Sequence, residues 1–224
     1  IPLQFWFNRN PGLALPLIAL QYHEVKINFE FEAIDNLTLG QVATSCCRSM
    51  EKCSLYVDYV YLDTDERRRF AQVSHEYLIE QVQFTGDESI TGASNVRLNF
   101  NHPVKELVWT VTSANVGTGT ETVTDALLQL NGHDRFKRRV GKYFTDVQRY
   151  QHHTGSGGDG NIHVYSFGLK PEEHQPSGTC NFSRIDNAVL NLTLSGAINT
   201  AGSSAGGSLK VYAVNYNVLR IMSG

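Results

Sequence analysis

Apolar and polar residues alternate with a period of two along much of the chain, which is the pattern of half-buried β-strands. The clearest run is Leu17–Glu32, in which one face carries Val25, Ile27, Phe29 and Phe31. Mostly polar residues stand between these four. The segment is therefore predicted to be a strand with one buried face and one solvated face.

Comparable strand patterns recur to the end of the chain, at Gln4–Phe7, Ser54–Leu62, Tyr77–Phe84, Val96–Phe100, Leu107–Thr112, Ile162–Leu169, Ala188–Leu194 and Leu209–Ile221. A short helix is predicted at Asp65–Val73, because Asp63 or Thr64 can cap its start and acidic residues follow in the first turn. Trp6 and Trp109 lie in predicted strands and are expected in the core. About eight strands with short helices in the loops predict an all-β, antiparallel jelly-roll sandwich.

One stretch, Asn115–Asp159, departs from this strand pattern. It is Gly- and Thr-rich at its start, and Asn131-Gly132 and Gly141 interrupt its middle. We expect a long loop insertion at about 115–160, with some helix within it. Loops of this length in a compact domain are usually functional.

Composition agrees with a polar-surfaced β-protein. Of the 224 residues 41% are hydrophobic and only 18% are charged, and the formal net charge is −3. The acidic balance argues against a direct nucleic-acid partner. No apolar run approaches the roughly 18 residues that span a bilayer, and the start at Ile1 without a methionine predicts a fragment or processed form.

Motifs that would indicate catalysis or a cofactor are missing from the sequence. The eight histidines form no HxH pair of the kind that cupin enzymes use for a metal, and there is no HExxH, GxSxG, Walker or GxGxxG motif. His75-Glu76 and the acidic residues near Asp63 are better explained as solvated surface groups. The sequence predicts no enzyme, no cofactor and no metal site.

The stretch Arg135–Tyr150 combines six basic residues with four aromatic ones. Either a nucleic-acid or acidic-lipid contact or a protein interface would use such residues. The acidic chain favours the interface. The predicted intersubunit contact residues are Arg135, Phe136, Arg139, Tyr143, Phe144 and Tyr150.

Three N-x-S/T sequons, at Asn36, Asn181 and Asn191, are candidate glycosylation sites. Asn36 is the best of them. Asn191 lies inside a predicted strand, which argues against its modification.

Four long stretches, in order along the chain, resemble the major capsid proteins of nucleocytoplasmic large DNA viruses. They are Ile1–Val25, Tyr59–Phe70 with His75–Gln81, Phe100–Trp109 and Tyr165–Asp186. The first is similar to the start of the C-terminal jelly roll of that family, and the last, YSFGLKPEEHQPSGTCNFSRID, is the most specific. Together they cover nearly the whole chain.

The resemblance implies a structural protein whose subunit carries two consecutive jelly rolls, of which residues 1–224 would be the second, as a single domain. It implies homotrimers of pseudo-hexagonal outline that tile an icosahedral shell around an internal membrane, with other capsomers and minor capsid proteins as partners. It also implies a place in the virion after assembly in the host cytoplasm. The 115–160 loop would then build the outer tower and the intersubunit contact.

Two alternatives remain on the sequence alone. A carbohydrate-binding jelly roll, such as a viral attachment module, would need exposed Trp and Tyr residues in a concave patch. A cupin-type enzyme would need a bound metal.

Overall fold

The structure is a computed structural model that describes residues 1–31, 50, 52–112, 121–155, 160–196 and 207–222. The chain divides into two compact units, the first formed by Ile1–Glu76 with Arg220–Gly224 and the second by Tyr77–Leu219. Predictions for Asn36 and for part of the 115–160 stretch fall outside the described residues.

Within its described residues, the first unit contains one regular α-helix, α1 (Thr64–Gln72), and a 3-10 turn at Pro11–Leu13. The predicted helix is confirmed, and the Asp63 carboxylate caps it by accepting a hydrogen bond from the Glu66 backbone N–H at 3.0 Å. This cap satisfies one of the free N–H groups of the first turn.

The strands predicted at Gln4–Phe7, Leu17–Glu32 and Ser54–Leu62 are wrong for the residues described. Residues 1–31 and 52–63 contain turns and extended backbone but no ladder-forming strand. Side chains on the predicted buried faces are exposed, among them Phe29 at 46% and Phe31 at 59%. An alternating sequence is compatible with a β-strand but does not form one by itself. The strand forms only when a neighbouring strand supplies backbone hydrogen bonds.

The second unit is built from strands that form two sheets. In chain order they are β1 (His75–Ile90), β2 (Ala93–Arg97), β3 (Pro103–Thr112), β4 (Val123–Leu130), β5 (His133–Asp134), β6 (Arg139–Val140), β7 (Ile162–Ser166), β8 (Cys180–Asn181), β9 (Ala188–Leu194) and β10 (Gly207–Ile221). One sheet has the order β1-β10-β3-β7, with β8 also paired to β3. The other has the order β2-β9-β4-β5, with β6 also paired to β4.

This order makes the unit an antiparallel jelly roll, as predicted. β1 and β3 lie in one sheet, with the last strand, β10, between them. β2 and β4 lie in the other sheet, with β9 between them. Each register determined across these sheets is antiparallel. The short strands β5, β6 and β8 make the predicted count of eight approximate.

The stretch expected to be one long loop contains a central strand. β4 pairs with β9 from Val123↔Leu194 to Leu130↔Ala188 and carries the buried residues Ala126 and Leu128. Its signal in the sequence is weak because a register irregularity between Val123 and Asp125 breaks the alternation. After β6 come a π-helical segment, Tyr143–Val147, and the helix α2 (Gln148–His152).

The core lies between the two sheets. From β3 and β10 it takes alternate residues such as Leu107, Trp109 and Val211, and from β4 and β9 residues such as Leu128 and Leu192, all at most 1% exposed. Burial of this apolar surface is the main force that holds the sandwich together.

Candidate functional site

A β-bulge in β3 places two charged residues inside the sandwich unit. Val214 of β10 is opposite Glu106, whereas the next residue, Asn215, is opposite Val104, so Lys105 has no partner in the register. A bulge of this kind re-aims side chains and is common next to functional sites. Lys105 is 2% exposed and Glu106 is 8% exposed, which is unusual for charged residues.

Lys105 is held by three groups. Its Nζ lies 2.8 Å from Oε1 of Glu80 on β1, donates to the Glu173 carbonyl oxygen at 2.9 Å, and stands 4.9 Å from the ring centroid of Tyr216. The Lys105 and Glu80 side chains are only 3% and 12% exposed. The two opposite charges therefore compensate each other in a site with little solvent.

His174 joins the same group from the loop between β7 and β8. Its Nδ1 lies 3.3 Å from Oε1 of Glu80, and its backbone carbonyl accepts a hydrogen bond from the Tyr216 hydroxyl at 2.8 Å. Burial, and secondarily the charge of Glu80, raises the pKa of Tyr216 to about 12. The hydroxyl therefore remains protonated and remains a donor.

Glu106 belongs to a second charged group, centred on His153 at the end of α2. Nε2 of His153 lies 2.9 Å from Oε2 of Glu106, and Nδ1 lies 3.2 Å from Oε1 of Glu172. The ring N–H is not well aligned with Glu106, so this is an ion-pair contact more than a directed hydrogen bond. Contact with Glu106, partly opposed by burial, raises the pKa of His153.

Glu172 is also bound by Thr154. Its carboxylate accepts hydrogen bonds from the Thr154 hydroxyl at 2.8 Å and from the Thr154 backbone N–H at 3.1 Å. These bonds, the hydroxyl one foremost, lower the pKa of Glu172. The carboxylate is thus held in its charged form beside His153.

Both charged groups attach the same segment, the 167–178 loop, to the sandwich. Glu172 contacts the end of α2, whereas Glu173 and His174 contact the Lys105 group. The loop is closed on itself where Gly168 approaches Gly178, since a Cβ on Gly168 would stand 2.8 Å from the Gly178 carbonyl oxygen. The arrangement pairs positive with negative groups and is suited to fixing a loop.

The predicted intersubunit residues divide into a buried set and an exposed set. Phe144 is fully buried and packs on Trp109 with ring centroids 5.1 Å apart, so its assignment to a contact surface was wrong. Phe136 and Tyr143 are half-buried against Phe144. Both rings therefore pack against the core and are not free for a partner chain.

The exposed set is Arg135, Arg139 and Tyr150. Tyr150 is 89% exposed, and the Arg139 guanidinium lies 5.2 Å from the ring centroid of Tyr143. We call these three residues the Arg135 surface. Arg138, between them in sequence, is paired with Asp125 of β4.

The two sequons within the described residues differ in access. Asn181 is exposed, and its side-chain oxygen accepts a hydrogen bond from the Ser183 backbone N–H at 3.0 Å. Asn191 is 8% exposed in β9, and its Nδ2 donates to Oε1 of Gln129 at 3.1 Å. Glycans attach through that nitrogen, so Asn191 is unsuited to carry one.

The sequence interpretation missed the Lys105 and His153 groups. A signal was present: Lys105-Glu106 interrupts the apolar β3 pattern, and Lys170–His174 gathers opposite charges in a loop. Sequence alone does not show that a bulge turns both β3 residues toward that loop. Among the described residues, no group of three or more His, Cys, Asp or Glu side chains is arranged to hold a metal.

The carbohydrate-binding alternative needs exposed Trp residues, and Trp109 lies in the core as the sequence predicted. Trp109 is 1% exposed and stacks inside the core, so it offers no platform for a sugar. As for a membrane, none of the helices in the described ranges is both long and apolar enough to span one.

Comparison with known proteins gives matches over the whole chain. Residues 66–224 match the family model described as "Large eukaryotic DNA virus major capsid protein", and residues 1–63 match "Major capsid protein N-terminus". The major capsid protein of Pyramimonas orientalis virus is 56% identical over 248 aligned residues, covering 100% of this chain and 59% of the relative. That of Paramecium bursaria Chlorella virus 1 is 44% identical, with 100% and 64% covered.

The solved PBCV-1 virus capsid has a similar fold. Its capsid chain superimposes with a TM-score of 0.73 at 39% identity, covering 100% of this chain and 68% of that one. The chain spans about three fifths of the length of the two curated relatives. With both family models matched in order and the jelly roll in place, the chain belongs to the family of major capsid proteins of large eukaryotic DNA viruses.

Proposed function

We propose that this chain forms part of a structural shell subunit in the virion of a large DNA virus, with a role in assembly and none in catalysis. The observation that supports this most is its agreement with the PBCV-1 capsid along the full chain, at a TM-score of 0.73. No comparison supports a carbohydrate-binding role.

Within such a subunit, we propose that Tyr77–Leu219 is the second of two jelly rolls. This is narrower than the single domain over residues 1–224 expected from the sequence. Two observations favour the narrower range: the compact unit has these bounds, and residues 1–63 match the N-terminal family model. The exposed alternating residues of the first unit, such as Phe29 and Phe31, would then complete a sheet of the first jelly roll.

The proposed partners are two further copies of the subunit in a homotrimer, then neighbouring capsomers and minor capsid proteins in an icosahedral shell. An internal viral membrane would lie nearby without insertion of the chain, and no direct nucleic-acid contact is proposed. Asn181 is the proposed glycosylation site among the described sequons, because it is the exposed one.

The Arg135 surface is the proposed intersubunit contact. Its members combine exposed guanidinium groups with an exposed tyrosine, and Arg and Tyr are enriched in interfaces and in their energetic centres. Val147, three residues before Tyr150 in the sequence, adds an apolar side chain at 41% exposure. A surface of this composition fits a second protein chain.

The test is the assembly of the full-length subunit. Electron microscopy and sedimentation should show pseudo-hexagonal trimers for the unmodified protein, and Arg135→Glu with Arg139→Glu should shift the population toward monomer without a change in melting temperature. Lys52→Glu, an exposed charge reversal in the first unit, is the matched control and should leave trimers intact. Normal trimers in the double variant would remove this surface from the interface, and a monomeric unmodified protein would contradict the shell role.

A further inference from the structure

The 167–178 loop is attached to the sandwich through a histidine that stands between two carboxylates. His153 lies 2.9 Å from Glu106 and 3.2 Å from Glu172, on opposite ring nitrogens. The His153 and Glu106 side chains are 17% and 11% exposed, so solvent screens their contact only weakly. One end of this bridge is fixed in β3 and the other end is in the loop.

The charge on His153 decides what this bridge does. As an imidazolium it compensates both carboxylates at once. A neutral imidazole compensates neither carboxylate. The charge of Glu106 is then buried without compensation from His153, and the charge of Glu172 lies on the opposite side of the ring. An unpaired buried carboxylate is strongly unfavourable, so the loop end of the bridge is then expected to move away.

Other charged groups surround this bridge without replacing it. On the elements packed around His153 they are Lys105 of β3, Arg149 and His152 of α2, and Lys170, Glu173 and His174 of the loop. Lys105 is engaged by Glu80 at 2.8 Å, and Lys170 by Glu173 at 3.0 Å. In the part of the chain that the structure describes, the recorded ion-pair contact of Glu106 is with His153.

We propose that His153 makes one of the two attachments of the 167–178 loop dependent on pH, strengthening it at mildly acidic pH and weakening it as the pH rises. The two groups that sense pH act in opposite directions. The pKa of His153 is raised, so its contribution is complete below the unfolded value of about 6.5 and is lost as the pH rises through the folded value. The pKa of Glu172 is lowered, so its contribution is present at neutral pH and disappears only in acid.

This inference goes beyond the proposed shell role and does not require it, since the bridge lies within one sandwich. Release would change a surface loop of each subunit at alkaline pH while the core stayed folded. A shell built from such subunits would carry a repeated pH-sensitive element on its jelly rolls.

The test is hydrogen–deuterium exchange of peptides that cover the loop, measured on this chain from pH 6 to pH 9 and corrected for intrinsic exchange. The opening constant of the loop is expected to rise above pH 6.5 by up to about tenfold per pH unit, then level off. Peptides from β9 should show no such rise. Constant loop protection across this range would overturn the proposal.

Two variants connect the rise to His153. His153→Gln should leave the loop more open at pH 6 and remove the pH dependence, whereas His152→Gln should keep the rise. His152 is the matched control because it stands beside His153 and contacts the same loop, with Nδ1 2.9 Å from the Leu169 carbonyl oxygen. A rise that persists in His153→Gln would contradict the assignment.

A third variant decides the matter if His153→Gln does not fold. Glu106→Gln removes the nearer carboxylate but keeps the side-chain shape. The rise begins near the unfolded value of about 6.5 and ends at the folded value, which Glu106 raises. The opening curve of this variant should therefore level off at a lower pH, and after a smaller total rise, than that of the unmodified chain. An identical curve would overturn the proposal.

Discussion

Trp109 and His163 stack in the core with ring centroids 5.7 Å apart and ring planes 11° from parallel. They are opposite each other in the pairing of β3 with β7, and both are almost completely buried. Burial lowers the pKa of His163 to about 4. The histidine is therefore neutral at physiological pH and serves as a flat core residue.

This relationship predicts loss of stability in acid. An unfolded histidine takes up a proton near pH 6.5, whereas folded His163 does so only near pH 4, so its stabilising contribution is present above 6.5 and disappears as the pH falls. Between pH 7 and pH 4 the free energy of unfolding should fall by about 3 kcal/mol from this group. His163→Phe should remove that part of the slope in urea unfolding. Parallel pH profiles for the two proteins would show that His163 does not titrate this way.

Trp109 itself should be a major contributor to stability. It is 1% exposed and packs against Phe144 as well as His163. Trp109→Ala should lower the free energy of unfolding by about 3–5 kcal/mol, because the lost side chain leaves a cavity between the sheets. Tyr150→Ala, which removes an aromatic ring that is 89% exposed, is the control and should change stability by less than about 0.5 kcal/mol. Equal effects of the two substitutions would exclude a core role for Trp109.

Much of the sandwich could be predicted because its local signals agree with its tertiary contacts. Ala188–Leu194 was predicted with the bounds that β9 has, and Asp63 caps α1 as its side chain suggested. β4 was missed because its irregular register removes the period of two, and Gly- and Thr-rich sequence precedes it. Alternation is a local property, whereas a central strand is identified by its neighbours.

The segment Leu17–Glu32 shows the opposite error. Its alternation is among the clearest in the chain, yet no strand forms over its described residues. Tertiary pairing decides whether such a pattern becomes a ladder. The charged groups around Lys105 could not be predicted for a related reason, since they join residues far apart in sequence, such as Glu80 and His174.

The ion pair of Lys105 with Glu80 gives a third prediction. Lys105→Met removes the ammonium group from beside Glu80, whose side chain is 12% exposed. His174 Nδ1 stays 3.3 Å from the same carboxylate oxygen. We expect a loss of about 3–5 kcal/mol, as for other buried pairs that lose one partner. Glu80→Gln should lower the free energy of unfolding less in the Lys105→Met background than in the unmodified chain. A double-mutant cycle should give a coupling energy of about 0.5–3 kcal/mol. Additive losses would mean that the two charges do not interact.

The final prediction concerns Gly141, which follows β6 and is buried against β4. A Cβ at this position would collide with the Val123 carbonyl oxygen and stand 2.7 Å from Oε1 of Glu121. The carbonyl belongs to the backbone of a central strand and cannot move aside without disturbing the ladder of β4 with β9. Gly141→Ala should therefore lower the free energy of unfolding by about 1–3 kcal/mol.

Gly155 provides the matched control for this substitution. A Cβ there would have no atom within 4 Å, so Gly155→Ala should be neutral or slightly stabilising through reduced freedom of the unfolded chain. Chemical unfolding of the two variants separates steric exclusion at Gly141 from a general effect of replacing glycine. If both variants were as stable as the unmodified chain, the close approach of Gly141 to β4 would not be a constraint on the fold. A loss of stability in Gly141→Ala alone would show that position 141 requires glycine because its backbone lies against β4. In the sequence this glycine was interpreted only as an interruption of a loop.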